Sequence, residues 1–159
     1  MRTILKMHRQ LSGELPSAPA EIGFDIRTFN PDADKNAWLE LNNEIFKNHP
    51  DQGNWAMADL ENRMKEPWFN PTGFFLAMDN QKIIGFCWTK FHQDLVNQEP
   101  VGEIYVIGVD RTAAKRGVGQ ALAVRALEFM KSKGLGSAML YVDADNQAGL
   151  ALYKKLGFN

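Results

Sequence analysis

The feature that most constrains this chain is a strand that leads through a glycine-containing turn into a long helix. The β-type run Glu103–Val109 is followed by Lys115-Arg116-Gly117-Val118-Gly119 and then by an amphipathic segment. The first N–H groups of a helix point away from its body, and the helix dipole adds roughly half a positive charge there. The sequence therefore predicts an anion site at Gly117–Gln120 that suits a ligand carrying phosphates.

The composition is that of an ordinary globular domain, and it argues against several classes of protein. The chain has 159 residues, of which 45% are hydrophobic and 23% charged, and its formal net charge is −1. This balance favours neither nucleic acid nor an anionic membrane as a partner. No apolar run approaches the roughly 20 residues that cross a bilayer, and the N-terminus lacks the apolar stretch of a secretory signal. The single cysteine, Cys87, excludes an intrachain disulfide, so we expect a cytoplasmic protein without a metal.

Hydrophobic spacing predicts an α/β (α+β) fold. Residues 1–21 have the Ser, Pro, Ala and Glu content of a linker, and residues 22–159 are predicted to form one domain. The predicted strands are Phe24–Phe29, Phe74–Met78, Lys82–Phe91, Glu103–Val109 and Ala138–Val142. The predicted helices are Asp34–Phe46, Ala56–Lys65, Val118–Lys133 and Gln147–Leu156. Their order indicates a mixed sheet with a largely antiparallel start.

This order and the glycine turn resemble the GCN5-related N-acetyltransferase superfamily. Its pyrophosphate signature, R/Q-x-x-G-x-G/A, follows a strand and opens a helix. Here the corresponding residues run from Ala114 to Gly119, so alanine stands at the first position of the signature. The backbone of the turn is unaffected by that difference. The resemblance implies a mixed central sheet flanked by helices, with acetyl-CoA as co-substrate.

A narrower resemblance is to the mycothiol synthase family, and specifically to its C-terminal, catalytic acetyltransferase domain. The matching motifs are HPDQGNW (His49–Trp55), EPWFNPTGF (Glu66–Phe74), GFCWTKFH (Gly85–His92), GEIYVIGVD (Gly102–Asp110) and LYVDADN (Leu140–Asn146). They cover nearly the whole chain in the family's order. The family has two tandem acetyltransferase domains, and its second domain continues past Gly157-Phe158 with a further strand. The resemblance therefore implies a domain of this fold without its final strand.

The family reaction moves an acetyl group from acetyl-CoA to the cysteinyl amine of a cysteine–glucosamine–inositol conjugate, which makes mycothiol. By resemblance, Ile107, Gly108 and Val109 are expected to pair with the pantetheine arm of acetyl-CoA, and Asn146 to bond it or to cap the last helix. The residues expected at the pyrophosphate are Ala114, Lys115, Arg116, Gly117, Val118, Gly119 and Gln120. The amine substrate is a small molecule, and no metal is expected.

Two residues are expected to move protons, since an ammonium must lose one and a leaving thiolate must gain one. Glu103 is the candidate general base, and strand alternation places it on the same face as Tyr105, Ile107 and Val109. Tyr153 is the candidate general acid. A strand-end glutamate solvated at the surface and a tyrosine ring packed on the sheet are the ordinary alternatives for these two residues.

Asp51, Lys90 and Tyr141 match family positions that contact the sugar part of the substrate. Such hydroxyl-rich groups need hydrogen-bond donors and acceptors of this kind. The ordinary alternatives are a turn residue for Asp51 and a solvated strand lysine for Lys90. Cys87, between Phe86 and Trp88, is expected in the core.

Two other functions remain open from the sequence. A protein N-terminal amine acetyltransferase shares the tyrosine in the last helix. A non-catalytic module would bind acyl-CoA or a partner, such as a separate N-terminal acetyltransferase domain. The strand Ala138–Val142 is also predicted to need a neighbour. Either the N-terminal segment Arg2–Gln10 or a second molecule is expected to fill that edge.

Overall fold

The structure is a computed structural model that describes residues 2–18, 20, 23–93 and 96–159. The predicted boundary between residues 21 and 22 lies outside the described residues. Within these described residues, six strands and four helices follow one another, with short 3₁₀ turns at Pro71–Gly73 and Arg111–Ala113. They are β1 (Ile4–Gln10), β2 (Asp25–Thr28), α1 (Lys35–Ile45), α2 (Met57–Met64), β3 (Phe74–Asp79), β4 (Lys82–His92), β5 (Val101–Val109), α3 (Val118–Ser132), β6 (Ser137–Asp143) and α4 (Gln147–Lys155). None of the described helices has the length and apolar character that a membrane crossing requires.

All six strands belong to one sheet in the order β1-β6-β5-β4-β3-β2. The pairs are antiparallel except for β5 with β6, which run parallel. The mixed sheet with flanking helices that the sequence predicted is confirmed. Parallel pairing follows from the connection, because α3 carries the chain from the end of β5 back to the start of β6.

Strand β1 is the element that the secondary-structure prediction missed, since it lies within the segment read as a linker. It pairs antiparallel with β6 from Ile4↔Asp143 to Gln10↔Ser137. Its sequence, ILKMHRQ, has only Met7 buried, so its alternation is weak. The pairing itself matches the expectation that the N-terminal segment fills the edge beside β6.

The helices divide the core into two layers, one on each face of the sheet. On one face, α3 and α4 pack through residues such as Leu122, Leu127 and Leu156, all fully buried. On the other face, α1 and α2 bury Trp38 and Leu60 against the aromatic side chains of β3 and β4. Helices thus cover both faces of the sheet over β3–β5. The cleft lies to one side of this region, between β5 and β6.

A β-bulge in β5 changes which side chains share a face. The register with β4 passes from Thr89↔Ile104 to Trp88↔Val106, so Tyr105 is the extra residue. Beyond the bulge, Ile107 and Val109 pack towards the α3 layer. The expectation that Glu103 shares a face with Ile107 and Val109 is therefore wrong. Strict alternation fails because a bulge inserts one residue into the strand.

Candidate active site

The parallel strands β5 and β6 pair for only three residues and then diverge. The ladder runs from Gly102↔Ala138 to Ile104↔Leu140, although β5 continues to Val109 and β6 to Asp143. A cavity of about 610 Å³ opens at this divergence. Residues of β1, β5, β6, α4 and the loop after α1 line it.

Six of the predicted site residues line this cavity. They are Asp51, Glu103, Ile107, Tyr141, Asn146 and Tyr153. The cavity thus brings together the predicted base, the predicted acid and two predicted substrate contacts, which lie far apart in sequence. Lys90, Gly108, Val109 and the turn Ala114–Gln120 are described by the structure but lie outside the lining.

Glu103 is one of the few charged residues buried in the described part of the chain, with 6% of its surface exposed. Its Oε1 lies 2.7 Å from Nε2 of His92, at the end of β4. The carboxylate is a hydrogen-bond acceptor when ionised, so the imidazole donates. A buried carboxylate at the wall of a cavity is placed to accept a proton from a bound amine.

Tyr153 lies on α4 and is buried, with 7% exposed. Burial raises the pKa of its phenol well above the usual value, with a smaller contribution from the nearby Cys87 thiol. The phenol therefore stays protonated through the neutral and mildly alkaline range and can donate. At the start of the same helix, Asn146 Oδ1 accepts the Gly149 N–H at 3.0 Å, so its expected capping role is confirmed.

The loop that carries Asp51 is held by two adjacent asparagines of α1. Asn42, fully buried, donates to the Gln52 carbonyl at 2.9 Å and accepts from the Gln52 side chain at 2.9 Å. Asn43 pairs in the same way with the backbone of Trp55, at 2.8 and 2.9 Å. These bonds fix the loop relative to the sheet.

Glycine at position 53 is required by close packing in that loop. A Cβ there would meet the Phe46 carbonyl oxygen at 1.9 Å, which no side chain permits. The HPDQGNW motif is therefore a tightly built turn, and its glycine serves backbone approach.

A cluster of charges occupies one wall of the cavity. The Arg2 guanidinium bonds Asp51 and Asp143, each at 2.6 Å. The same guanidinium holds the pKa of the Asp143 carboxyl below its usual range. His49 accepts the N–H groups of Asp51 and Gln52 at its Nδ1, which places the proton on Nε2, 3.4 Å from Asp143.

Lys90 stands directly opposite Glu103 in the β4–β5 register. Its ammonium lies 4.7 Å from the centre of the Trp68 ring and 5.4 Å from that of Tyr105. The lysine is therefore turned onto aromatic faces beside the cavity, an arrangement that stabilises a cation.

The glycine turn has the backbone geometry that its sequence predicted. Gly117 precedes α3 with a φ of 77°, in the left-handed region that favours glycine. The first intrahelical bond of α3 is donated by Ala121 to Gly117, at 3.0 Å. The N–H groups of Val118, Gly119 and Gln120 precede that bond, as an anion site at a helix N-terminus requires.

The side chains around this turn have structural contacts of their own. Arg116 bonds Asp79 at 3.2 Å and the Gly23 carbonyl at 2.8 Å, which directs its guanidinium to the β2–β3 side. A Cβ on Gly119 would lie 3.5 Å from Val109 and 3.7 Å from Leu152. These are ordinary van der Waals distances, so a Cβ at position 119 would fit between β5 and α4, and the backbone N–H groups are the part of this turn that is available to a phosphate.

Several residues have purely structural positions. Cys87 is fully buried, and burial raises the pKa of its thiol to about 12, so its predicted place in the core is confirmed. Trp55 packs in the α1–α2 layer, and Trp68 and Phe69 pack against it. Among the residues that the structure describes, no group of three or more His, Cys, Asp or Glu side chains is arranged to hold a metal ion.

Comparison with known proteins identifies the fold and its family. The model of the acetyltransferase (GNAT) family matches residues 35–158. This chain belongs to that family. Among solved structures, this acetyltransferase domain is similar to a GCN5-related N-acetyltransferase from Sphaerobacter thermophilus, with a TM-score of 0.77 and 25% identity over 99% of this chain and 48% of that one. It is also similar to the aminoglycoside acetyltransferase AAC(6')-Iy bound to CoA, with a TM-score of 0.69 and 25% identity over 86% of this chain and 88% of that one.

Curated relatives of this GNAT domain carry the name mycothiol acetyltransferase. The relative from Thermobispora bispora is 44% identical over 99% of this chain, and the one from Streptomyces coelicolor is also 44% identical over 99%. The resemblance to the mycothiol synthase family is thereby confirmed. The chain spans about half the length of these relatives, 54% and 50% respectively.

Sequence reasoning missed six residues of the site with charged, imidazole or amide side chains. Five line the cavity, namely Arg2, Lys6, His49, Gln52 and Asp143, and His92 contacts Glu103. His49 and Asp143 lie inside the quoted motifs, so their position next to Asp51 and Tyr141 was an available signal. Arg2 could be found only by pairing β1 with β6, and His92 only from the β4–β5 register.

Proposed function

We propose that this chain transfers an acetyl group from acetyl-CoA to the cysteinyl amine of a cysteine–glucosamine–inositol conjugate. One observation carries the proposal. A single cavity at the divergence of β5 and β6 is lined by a buried carboxylate, Glu103, and by a buried phenol, Tyr153. The acceptor is the one that the family resemblance implies, and the name mycothiol acetyltransferase shared by the curated relatives supports it. We assign residues 22–159 to the acetyltransferase domain, with residues 1–21 as the preceding segment that contributes β1.

The residues that would hold acetyl-CoA fit its chemistry. The N–H groups of Val118, Gly119 and Gln120 suit the pyrophosphate because they are donors at a helix start. The diverging backbone at Ile107 suits the amide groups of the pantetheine arm, which can pair with a strand edge. Bound there, acetyl-CoA supplies an activated thioester carbonyl.

Glu103 and Tyr153 divide the proton transfers. Glu103 takes a proton from the substrate ammonium, which frees the nitrogen lone pair to form the new C–N bond. Tyr153 gives its phenolic proton to sulfur as the C–S bond breaks, and solvent returns both residues to their starting states. The ammonium loses two protons in all, one to Glu103 before attack and one to solvent from the nitrogen of the tetrahedral intermediate, and the thiol gains one, so each turnover releases one net proton.

The substrate's remaining groups meet polar side chains on the cavity wall. Asp51 and Tyr141 line it directly, and Lys90 lies beside it. A carboxylate, a phenol and an ammonium provide acceptors and donors for sugar hydroxyl groups.

The test is acetyl-CoA turnover with defined amines. We expect CoA thiol release to depend on the conjugate and its N-acetyl product to appear by mass spectrometry. Peptides with free N-terminal amines serve as the comparison, because preferential turnover of a peptide would replace the proposed acceptor. Binding of acetyl-CoA without turnover of any amine would instead indicate a non-catalytic module.

A further inference from the structure

We propose that His92 is a positioning residue that holds the Glu103 carboxylate as the base for the amine. This inference rests on the proposed function and assigns a residue to it that the motifs did not. The observation behind it is the 2.7 Å contact between His92 Nε2 and Glu103 Oε1 at the cavity wall.

The strand register explains why this contact is selective. In the β4–β5 ladder, Lys90 stands opposite Glu103, and His92 stands opposite Val101. His92 is thus the diagonal neighbour of Glu103. The direct neighbour, Lys90, is turned onto the Trp68 and Tyr105 rings. The Glu103 carboxylate is therefore bound by the His92 imidazole, although Lys90 is its direct cross-strand partner.

Burial shows how the contact fixes the carboxylate. The Glu103 side chain is 8% exposed and the His92 side chain 32% exposed. Within the described residues, the hydrogen bond to the Glu103 carboxylate comes from His92. A glutamate has three rotatable side-chain bonds, and a bond to Oε1 selects one arrangement while Oε2 remains for the substrate.

The chemistry favours an imidazole N–H in this position. An ammonium at hydrogen-bond distance would stabilise the ionised carboxylate strongly and oppose its uptake of a proton. An imidazole donates a single hydrogen bond from Nε2 in the plane of its ring, so it orients one carboxylate oxygen without surrounding it with donors. Glu103 can then be held in place and still accept the proton of the amine.

The decisive variants differ in where a donor sits. His92→Gln keeps an N–H donor near the position of Nε2, His92→Asn moves it back by about one bond, and His92→Phe removes it but keeps a ring. We expect His92→Phe and His92→Asn to lower kcat for the conjugate about 10–100-fold, because misplacing a reacting group by about 1 Å has effects of this size. We expect KM to change less than about twofold and His92→Gln to retain most of the rate. His8→Gln, on the exposed face of β1, is the matched control.

A double-mutant cycle separates positioning from a general structural role. If His92 acts through Glu103, His92→Phe should have no further effect on kcat in a Glu103→Gln background. Additive losses, or full kcat in His92→Phe with an intact fold, would overturn the proposal.

A second measurement does not depend on turnover. We expect the His92 Nε2–H proton to be visible and slow to exchange by ¹⁵N NMR in the wild-type chain, and to exchange rapidly in Glu103→Ala. Equal exchange in both proteins would contradict the contact. If the wild-type chain acetylates no amine, the proposed acetyl-transfer function fails, and this NMR result alone decides whether His92 holds the carboxylate.

Discussion

At the scale of single residues, buried polar groups divide into those that hold the fold and one that faces a cavity. Asp34, Asn42 and Thr89 are buried, and each is hydrogen-bonded to groups of the surrounding fold. Glu103 is equally buried, but its partner is a partly exposed imidazole and it borders the cavity. A buried carboxylate that borders a cavity is a candidate for proton transfer.

Removing either of the two proposed proton-transfer groups should lower turnover more than it lowers acetyl-CoA binding. We expect Glu103→Gln and Tyr153→Phe each to lower kcat about 10²–10⁴-fold, the usual contribution of a general acid or base. Acetyl-CoA affinity, measured by calorimetry, should change little because neither residue belongs to the glycine turn. Full turnover in both folded variants across the pH range would exclude these roles.

Asp34 should make the stability of the chain sensitive to acid. Arg27 donates to both carboxylate oxygens of Asp34, at 2.7 and 2.9 Å, and thereby lowers the pKa of the Asp34 carboxyl. Because the folded-state pKa lies below the unfolded one, the stabilisation is present above about pH 4 and is lost as pH falls through the folded-state value. We expect Asp34→Asn to cost about 1.5–3 kcal/mol at pH 7, and the cost to shrink progressively as the pH is lowered below about 4, by urea unfolding.

The control for this prediction is Asp32→Asn, since Asp32 is exposed and lies two residues away. It should leave the pH dependence of unfolding unchanged. A stability difference between Asp34→Asn and the wild-type chain that stays constant from pH 7 to pH 3 would contradict the ion pair.

At the scale of elements, the two ends of α3 have similar backbone geometry but different surroundings. Gly117 precedes the helix with a φ of 77°, and Gly134 follows it with a φ of 82°. Glycine after a helix is a common way to end it. Only the first of these glycines stands beside the N–H donors that suit a pyrophosphate.

Gly117→Ala should therefore weaken acetyl-CoA binding, whereas Gly134→Ala should not. Both variants place a Cβ in the left-handed region, at a similar cost of roughly 1 kcal/mol to stability. Because Gly117 sets the direction of the donors that follow it, its variant should lose affinity about tenfold in calorimetry. Equal acetyl-CoA affinity in the two variants would place the pyrophosphate elsewhere.

At the scale of the whole molecule, local patterns predicted most elements, and long-range pairing supplied the rest. The nine predicted strands and helices are all present, with ends within about two residues, because each has clear periodicity or a Gly/Pro boundary. Strand β1 was missed because its order comes from β6, more than a hundred residues away. The bulge at Tyr105 was missed because Ile104–Ile107 is a continuous apolar run, in which an extra residue leaves no visible break in the pattern.

The candidate site was predictable to the extent that motifs carried it. Glu103, Tyr153, Asp51 and Tyr141 meet at one cavity as the resemblance implied. The His92 contact depends on the register between β4 and β5, which is set on either side of the loop that joins them. Such a contact is a property of the folded sheet and leaves no local trace.

The last prediction concerns the strand that completes the sheet beside β6. Ala144 donates to the Thr3 carbonyl at 2.8 Å, and Leu11 donates to the Gly136 carbonyl at 2.9 Å, whereas His8 bonds Asn159 on the other edge. The backbone N–H and C=O groups of odd-numbered β1 residues therefore point towards β6, and those of even-numbered residues point away from it, as antiparallel pairing requires. Leu5→Pro should remove the backbone N–H that Leu5 donates to β6, while its exposed side chain contributes little to the core. We expect the free energy of unfolding to fall by about 1–3 kcal/mol, or several degrees in Tm.

Lys6→Pro is the matched control, because its N–H points away from β6 and its side chain is also exposed. We expect amide exchange at Met139–Val142 to accelerate in Leu5→Pro and to stay near wild type in Lys6→Pro. The freed edge of β6 should also pair between molecules, so sedimentation should detect dimers of Leu5→Pro at lower protein concentration than dimers of Lys6→Pro. Equal exchange, Tm and mass in the two variants would show that β1 does not protect this edge in solution.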